Sequence, residues 1–231
     1  MLRLTPILLA ILYAVVWYRI SVWRTHRELD QKSTELADPR LKALTDRLAA
    51  SLDLPRIKVF IYEIAPVNGL AAPDGRIFIT RGFYKKFLSG EVSGEEMASV
   101  IAHELGHVAL GHARRRMIDF SGQNALRTVL IMLLGRFVPI VGVWIANMLT
   151  TMLAARLSRG DEYEADAYAA ALLTKAGIGV GPQKSLFRKL EGLTQSNSGM
   201  APAWLMSHPK VEERIAALEA LERRWGTLEP V

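Results

Sequence analysis

The sequence predicts a mainly helical protein with a small β-sheet, of the α+β class, with an N-terminal transmembrane anchor. Helical periodicity dominates the 231 residues, and only the stretches 57–64 and 76–80 have the composition of strands. The apolar segment Leu4–Trp23 is long enough to cross a bilayer. We therefore expect a membrane anchor and linker over residues 1–35 and one folded domain over residues 36–231, which suits the length of the chain.

The helices outside the central region are marked by local signals. Leucines at helical spacing predict an amphipathic helix over Pro39–Leu52, and the two strands that follow are separated by the turn Pro73-Asp74-Gly75. Gly181–Leu193 has a helical pattern. Val211–Trp225 carries acidic residues in its first turn and basic residues in its last, as the helix dipole favours.

One central helix carries the pattern that indicates a chemistry. Ser93 and Glu96 form an S-x-x-E capping box at its start. His103 and His107 lie four residues apart, so both imidazoles reach one metal ion from the same helix face. Glu104 falls inside the apolar stripe, where a carboxylate is costly to bury without a metal, a water or a proton. The H-E-x-x-H pattern thus predicts a zinc site with Glu104 as general base.

The third protein ligand has two sequence candidates. His112 does not match the H-E-x-x-H-x-x-G-x-x-H pattern, and on a continuing helix it points away from the histidine pair. We expect a structural or supporting role for it at the helix end. Glu162 and Asp166 share one face of a later helix, so one can bind zinc while the other accepts the second N–H of a ligating histidine. An ordinary acidic helix start gives the same pattern.

Several motifs together resemble one family. H-E-L-G-H is followed by S-R-x-x-E-x-x-A-D over residues 158–166, and then by Ser207-His208-Pro209 with an R-I-x-x-L segment. Residues 66–71 are similar to a V-N-A stretch, with Gly69 where alanine is usual. This combination resembles the gluzincin zinc metalloendopeptidases that include HtpX, the CAAX prenyl proteases and the Oma- and BepA-type proteases. The resemblance covers roughly residues 38–222.

The resemblance implies a zincin-type metalloprotease domain that cleaves protein or peptide substrates and holds one Zn²⁺ per chain. The histidine that matches the S/T-H-P motif closes over the metal in some relatives and can stabilise the oxyanion in others. The implied positions are His103, His107 and Glu162 for the metal, Glu104 for the base, Asp166 beside the ligands, and His208 near the active site.

Substrate binding in this family uses the edge of a strand beside the zinc helix, which pairs with extended backbone. We expect that strand to be the one formed by Arg76, Ile77, Phe78, Ile79 and Thr80, although an ordinary sheet edge would look the same. We expect the polar loop Thr194–Ala203 to cover the site.

The N-terminal apolar segment is predicted to be a retained anchor. Bulky residues follow the apolar run, without the small residues of a signal-peptide cleavage site, which is the alternative. More basic residues follow the segment than precede it, so the positive-inside rule places the catalytic domain on the cytoplasmic face of the inner membrane.

A second apolar stretch, residues 128–156, lies between the two halves of the predicted zinc site. A single crossing would leave the ligands on opposite sides of the bilayer, and two crossings need about forty helical residues. We therefore predict a helical hairpin that bends near residues 135–139 and either dips into the membrane or packs on the domain. Some members of the family carry a longer, membrane-spanning hairpin here.

Composition restricts the partners. The net charge of +6 comes partly from Arg114-Arg115-Arg116 beside the apolar stretch, which suits anionic lipid headgroups or a solvated surface. No nucleic-acid-binding signature is present, so we expect no nucleic acid partner. There is no cysteine and hence no thiol nucleophile.

Membrane protein quality control is the expected role, and no feature of the sequence indicates an oligomeric state. A chaperone-like protein with a vestigial zinc site and a zinc hydrolase of small or lipidated substrates remain alternatives.

Overall fold

The computed structural model describes residues 5–72, 74–137, 139–195 and 211–226. These residues are mainly helical with one small sheet, as the sequence predicts. In chain order the elements are α1 (Thr5–Gln31), β1 (Ser33–Glu35), α2 (Pro39–Ser51), β2 (Val59–Tyr62), β3 (Gly69–Ala71), β4 (Ile77–Thr80), α3 (Arg81–Leu88), α4 (Gly94–Ala109), α5 (His112–Phe137), α6 (Pro139–Lys175), α7 (Gly181–Gln195) and α8 (Val211–Gly226).

Helix α4 is the central element of the core, and its start is fixed by the capping box. The Ser93 hydroxyl accepts a hydrogen bond from the Glu96 N–H at 3.1 Å, and the Glu96 carboxylate accepts one from the Ser93 N–H at 2.8 Å. The same carboxylate accepts hydrogen bonds from Ser185 and Lys189 of α7 at 2.7 and 2.8 Å. The cap therefore also attaches α7 to the first turn of α4.

The four strands are ordered β1-β2-β4-β3. Strand β4 pairs in parallel with β2 and antiparallel with β3, so it has a neighbour on each side. The prediction that residues Arg76 to Thr80 offer a free edge to substrate is therefore wrong. All four side chains of β4 are buried, and Arg76 is ion-paired with Asp30 and Asp74.

The strand at the edge next to α4 is β3, which the sequence did not reveal. It is only three residues long and begins with Gly69, so it carries neither the length nor the β-branched composition of a recognisable strand. Among the described residues β3 pairs only with β4.

Helix α6 approaches α4 closely enough to exclude a side chain between them. A Cβ atom on Gly106 of α4 would lie 3.1 Å from both the Cα and the carbonyl oxygen of Ala165 in α6. That separation is tighter than ordinary van der Waals contact. The glycine of H-E-L-G-H thus sets the spacing of the two helices that carry the candidate ligands.

Helices α5 and α6 lie side by side and extend beyond the predicted hairpin limits of 128 and 156. Arg127 of α5 donates a hydrogen bond to Asn147 of α6 at 2.6 Å. The predicted bend falls where α5 ends and α6 begins, and Val138 between them is outside the described residues. No helix in the described part of the chain is both long and apolar enough to cross a membrane.

The spacing of α4 and α6 can be tested with a pair of helix glycines. We expect Gly106→Val to lower the free energy of unfolding by roughly 1–3 kcal/mol, because the new side chain must push α6 away. The control is Gly160→Val in α6, where a Cβ meets nothing within 4 Å. Chemical denaturation of the full chain in detergent measures both, and equal stabilities would contradict the close contact.

Candidate metal centre

Three ligand-type atoms from α4 and α6 converge below the surface. The Nε2 atoms of His103 and His107 lie 3.1 Å apart. One oxygen of the Glu162 carboxylate lies 3.4 Å from His103 Nε2, and the other lies 3.5 Å from His107 Nε2. Ligands held about 2.0–2.1 Å from a tetrahedral zinc ion are separated by roughly 3.3 Å. Two imidazoles and one carboxylate at these separations fit a zinc ion.

Asp166 holds the other side of the His103 ring. Its Oδ1 lies 2.9 Å from His103 Nδ1, one helical turn beyond Glu162. Arg214 of α8 donates to both Asp166 oxygens, at 2.6 and 2.5 Å, and is fully buried with its guanidinium 4.0 Å from the Phe187 ring centre. Burial alone raises the pKa of Asp166, but the charge and hydrogen bonds of Arg214 outweigh it and lower the pKa below the usual range.

Two carboxylates, those of Asp166 and Glu162, favour the protonated form of His103. Burial disfavours the charged ring, but hydrogen bonds with Asp166 and Glu162 outweigh it and raise the pKa of His103 to about 9. A metal ion at the Nε2 atom competes directly with that proton, so metal binding near neutral pH releases it.

His107 meets a second histidine instead of a carboxylate. Its Nδ1 lies 2.7 Å from the Nδ1 of His112. The His112 side chain is fully buried, and this burial lowers the pKa of His112. The expectation that His112 points away from the pair is wrong, because α4 does not continue. It ends at Ala109, and Gly111 takes a positive φ of 66° that turns the chain back over the last turn.

His112, Asp161 and Glu164 form another group whose ligand-type atoms lie within 4.8 Å of one another. The Arg115 guanidinium donates to Asp161 at 3.2 Å and to Glu164 at 2.8 Å. The positive charge of Arg115 therefore already compensates the negative charge of both carboxylates. We interpret this group as an ion-pair network rather than a second metal site.

Glu104 is buried, and its carboxylate lies close to Gly69 of β3. A Cβ on Gly69 would come within 3.2 Å of Glu104 Oε1 and 2.7 Å of a Val100 methyl carbon, so a larger residue here would have to displace those side chains. Glu104 and His103 also line a cleft of about 320 Å³, counting the space open to solvent. The rest of its lining is mostly apolar and comes from α3, α4, α7 and α8: Phe83, Ser99, Val100, Gln183, Leu186, Phe187, Leu190 and Arg214.

The structure thus brings five predicted site residues together: His103, Glu104, His107, Glu162 and Asp166. His208 and residues 196–203 of the predicted covering loop lie outside the described residues. Arg214 was matched only as part of a motif. The sole sequence signal for its role is an arginine on the same helical stripe as apolar residues.

A sequence profile of peptidase family M48 matches residues 35–222, close to the span that the motifs suggested. The chain belongs to this family. It is therefore a metallopeptidase by descent, and the family's members are zinc-dependent. The match also confirms the resemblance to the HtpX- and Oma-type proteases.

The M48 chain is similar to several curated proteases. It is 28% identical to metalloprotease LoiP of Escherichia coli over 81% of this chain and 73% of that protein. It is 28% identical to an HtpX homologue of Acidiphilium cryptum over 71% of this chain and 63% of the relative. It is 24% identical to the human mitochondrial metalloendopeptidase OMA1, over 78% of this chain but only 36% of that protein.

Proposed function

We propose that this M48 chain is a membrane-attached zinc endopeptidase that hydrolyses peptide bonds of protein substrates, in membrane protein quality control. One observation carries the proposal. The buried carboxylate of Glu104 lines one cleft with His103, a member of the three-residue group arranged for one metal ion, and lies beside Gly69 of strand β3. An acid–base group, a metal position and a surface for extended peptide are thereby adjacent.

His103, His107 and Glu162 are the proposed ligands of one Zn²⁺. A bound zinc ion supplies Lewis acidity, which polarises the scissile carbonyl and makes water a better nucleophile. Glu104 accepts the proton of the attacking water and returns it to the leaving amine. Asp166 accepts the Nδ1–H of His103 and keeps its Nε2 directed at the metal. His208 remains a candidate for stabilising the oxyanion, on the strength of the motif alone.

Strand β3 replaces β4 as the proposed substrate-binding edge. The Ala72 N–H donates to Arg76 and the Thr80 N–H donates to Asn68, so these residues face each other across the β3–β4 ladder. Polar groups alternate along an antiparallel strand, which directs the N–H and C=O groups of Gly69 and Ala71 to the opposite side. An extended substrate can pair with them while its scissile bond lies over Glu104.

The cleft beside Glu104 is suited to one substrate side chain. Val100, Leu186, Phe187 and Leu190 give it apolar walls. An apolar residue next to the scissile bond gains free energy by leaving water there, whereas an acidic or small residue gains little. We therefore expect cleavage next to apolar residues in otherwise varied sequences.

Membrane attachment is proposed from the exposed apolar surface of α5 and α6 together with the Leu4–Trp23 segment. Met132 is 71% exposed on α5, and Trp144 and Met152 are 64% and 62% exposed on α6. With the other exposed apolar residues of these two helices they give an apolar surface of the kind that marks contact with a membrane or another protein. The N-terminal segment follows the hydropathy and charge pattern of an anchor.

The role of Glu104 is tested by Glu104→Gln. The amide keeps the size of the side chain but cannot accept the proton of water, so we expect loss of casein cleavage by at least about a hundredfold. Zinc content should stay at the level of the unmodified chain. Full cleavage by this variant would remove Glu104 as the base, and loss of both zinc and cleavage would point to a structural role.

The role of β3 is tested by Ala71→Pro. Proline removes the N–H directed to the free edge and leaves the β3–β4 ladder intact. We expect kcat/KM on an extended peptide to fall about tenfold or more, with zinc binding unchanged. Ala71→Ser keeps the N–H and is the matched control. If both variants cleave equally well, substrate does not pair at this position.

Membrane attachment is tested by extraction of membranes from a bacterial host that expresses the full chain. Apolar anchoring should keep the chain in the membrane fraction after alkaline carbonate treatment, which removes proteins held by charge alone. A C-terminal tag should resist external protease in intact spheroplasts if the domain faces the cytoplasm. Release by carbonate would contradict anchoring, and tag digestion would contradict the orientation.

A further inference from the structure

The chain reversal after α4 places a second buried histidine against a proposed metal ligand. Gly111, with its positive φ, starts α5 directly at the next residue and turns the His112 ring towards the last turn of α4. The result is a contact of 2.7 Å between the Nδ1 atoms of His107 and His112. One proton lies in such a contact, so one ring donates and the other accepts.

The direction of that hydrogen bond follows from the other end of each ring. His107 Nε2 lies among the atoms of His103 and Glu162, and a metal ligand needs its lone pair there. The proton of neutral His107 must then be on Nδ1, and His112 Nδ1 must accept it. The proton of His112 is consequently on Nε2, which lies 3.3 Å from the Glu164 carboxylate.

We propose that His112 is a positioning residue that fixes the tautomer and orientation of His107. The inference rests on the proposed zinc site. In it, His112 does for His107 what Asp166 does for His103. The two ligands are held differently: His103 by a carboxylate paired with Arg214, and His107 by a neutral imidazole. The far side of that imidazole faces Glu164, which also accepts a hydrogen bond from Arg115.

Two substitutions separate positioning from packing. His112→Asn keeps an acceptor oxygen where Nδ1 stands, whereas His112→Leu fills similar space without one. We expect zinc affinity, measured on the full chain by competition with a chelator, to fall about ten- to a hundredfold in the leucine variant and to be largely restored in the asparagine variant. A packing role predicts the reverse order, because leucine suits a buried position better.

His26→Leu is the control, since it removes a histidine that pairs with Asp74 instead of a metal-directed residue. Its zinc affinity should equal that of the unmodified chain. An unchanged affinity in His112→Leu, or one equally lowered in His112→Asn, would overturn the proposal.

A second measurement needs no variant. Long-range ¹H–¹⁵N NMR of the zinc-loaded chain in detergent reports the tautomer of each histidine. We expect protonated Nδ1 on His107 and protonated Nε2 on His112, and protonated Nδ1 on His112 would overturn the proposal.

If the unmodified chain binds no zinc, the proposed function fails together with this inference. If it binds zinc and only the His112 results are negative, the inference alone fails.

Discussion

The close packing of α4 against α6 is the constraint on which the rest of the structure depends. Neither helix carries a complete site: α4 supplies two imidazoles and the proposed base, and α6 supplies the carboxylates. They meet because Gly106 offers no side chain where the backbone of Ala165 passes. An added methylene at this point would separate Nε2 and carboxylate oxygen atoms that now lie 3.4 and 3.5 Å apart.

The buried charge of Asp166 is tolerable because opposite charge matches it. Asp166 is paired with Arg214 and His103, all three almost inaccessible to water. Removing one member of a buried pair typically costs about 3–5 kcal/mol, because the other charge is left without compensation. Arg214 therefore makes α8 part of the site, although this helix supplies no proposed ligand. Such a buried ion pair adds little to the free energy of unfolding, but it fixes the orientation of the His103 ring.

Local and periodic features of the site were predictable from the sequence, and long-range ones were not. The spacing of His103 and His107 and the shared face of Glu162 and Asp166 follow from helical geometry alone. The free sheet edge was assigned to β4 instead of β3, because strand order depends on contacts distant in sequence. His112 was misplaced because a single residue with positive φ ends the helix. The burial of Arg214 depends on how α8 packs, and its position on an apolar stripe of that helix does not reveal its partner.

The central claim is that two imidazoles of α4 and one carboxylate of α6 hold a single zinc ion. X-ray absorption at the zinc edge of the purified full chain tests it most directly, together with metal counting. The account predicts one zinc per chain, with two imidazole nitrogens and additional oxygen ligands at about 2.0–2.2 Å. Absence of zinc would contradict it, as would a ligand set with fewer than two imidazoles.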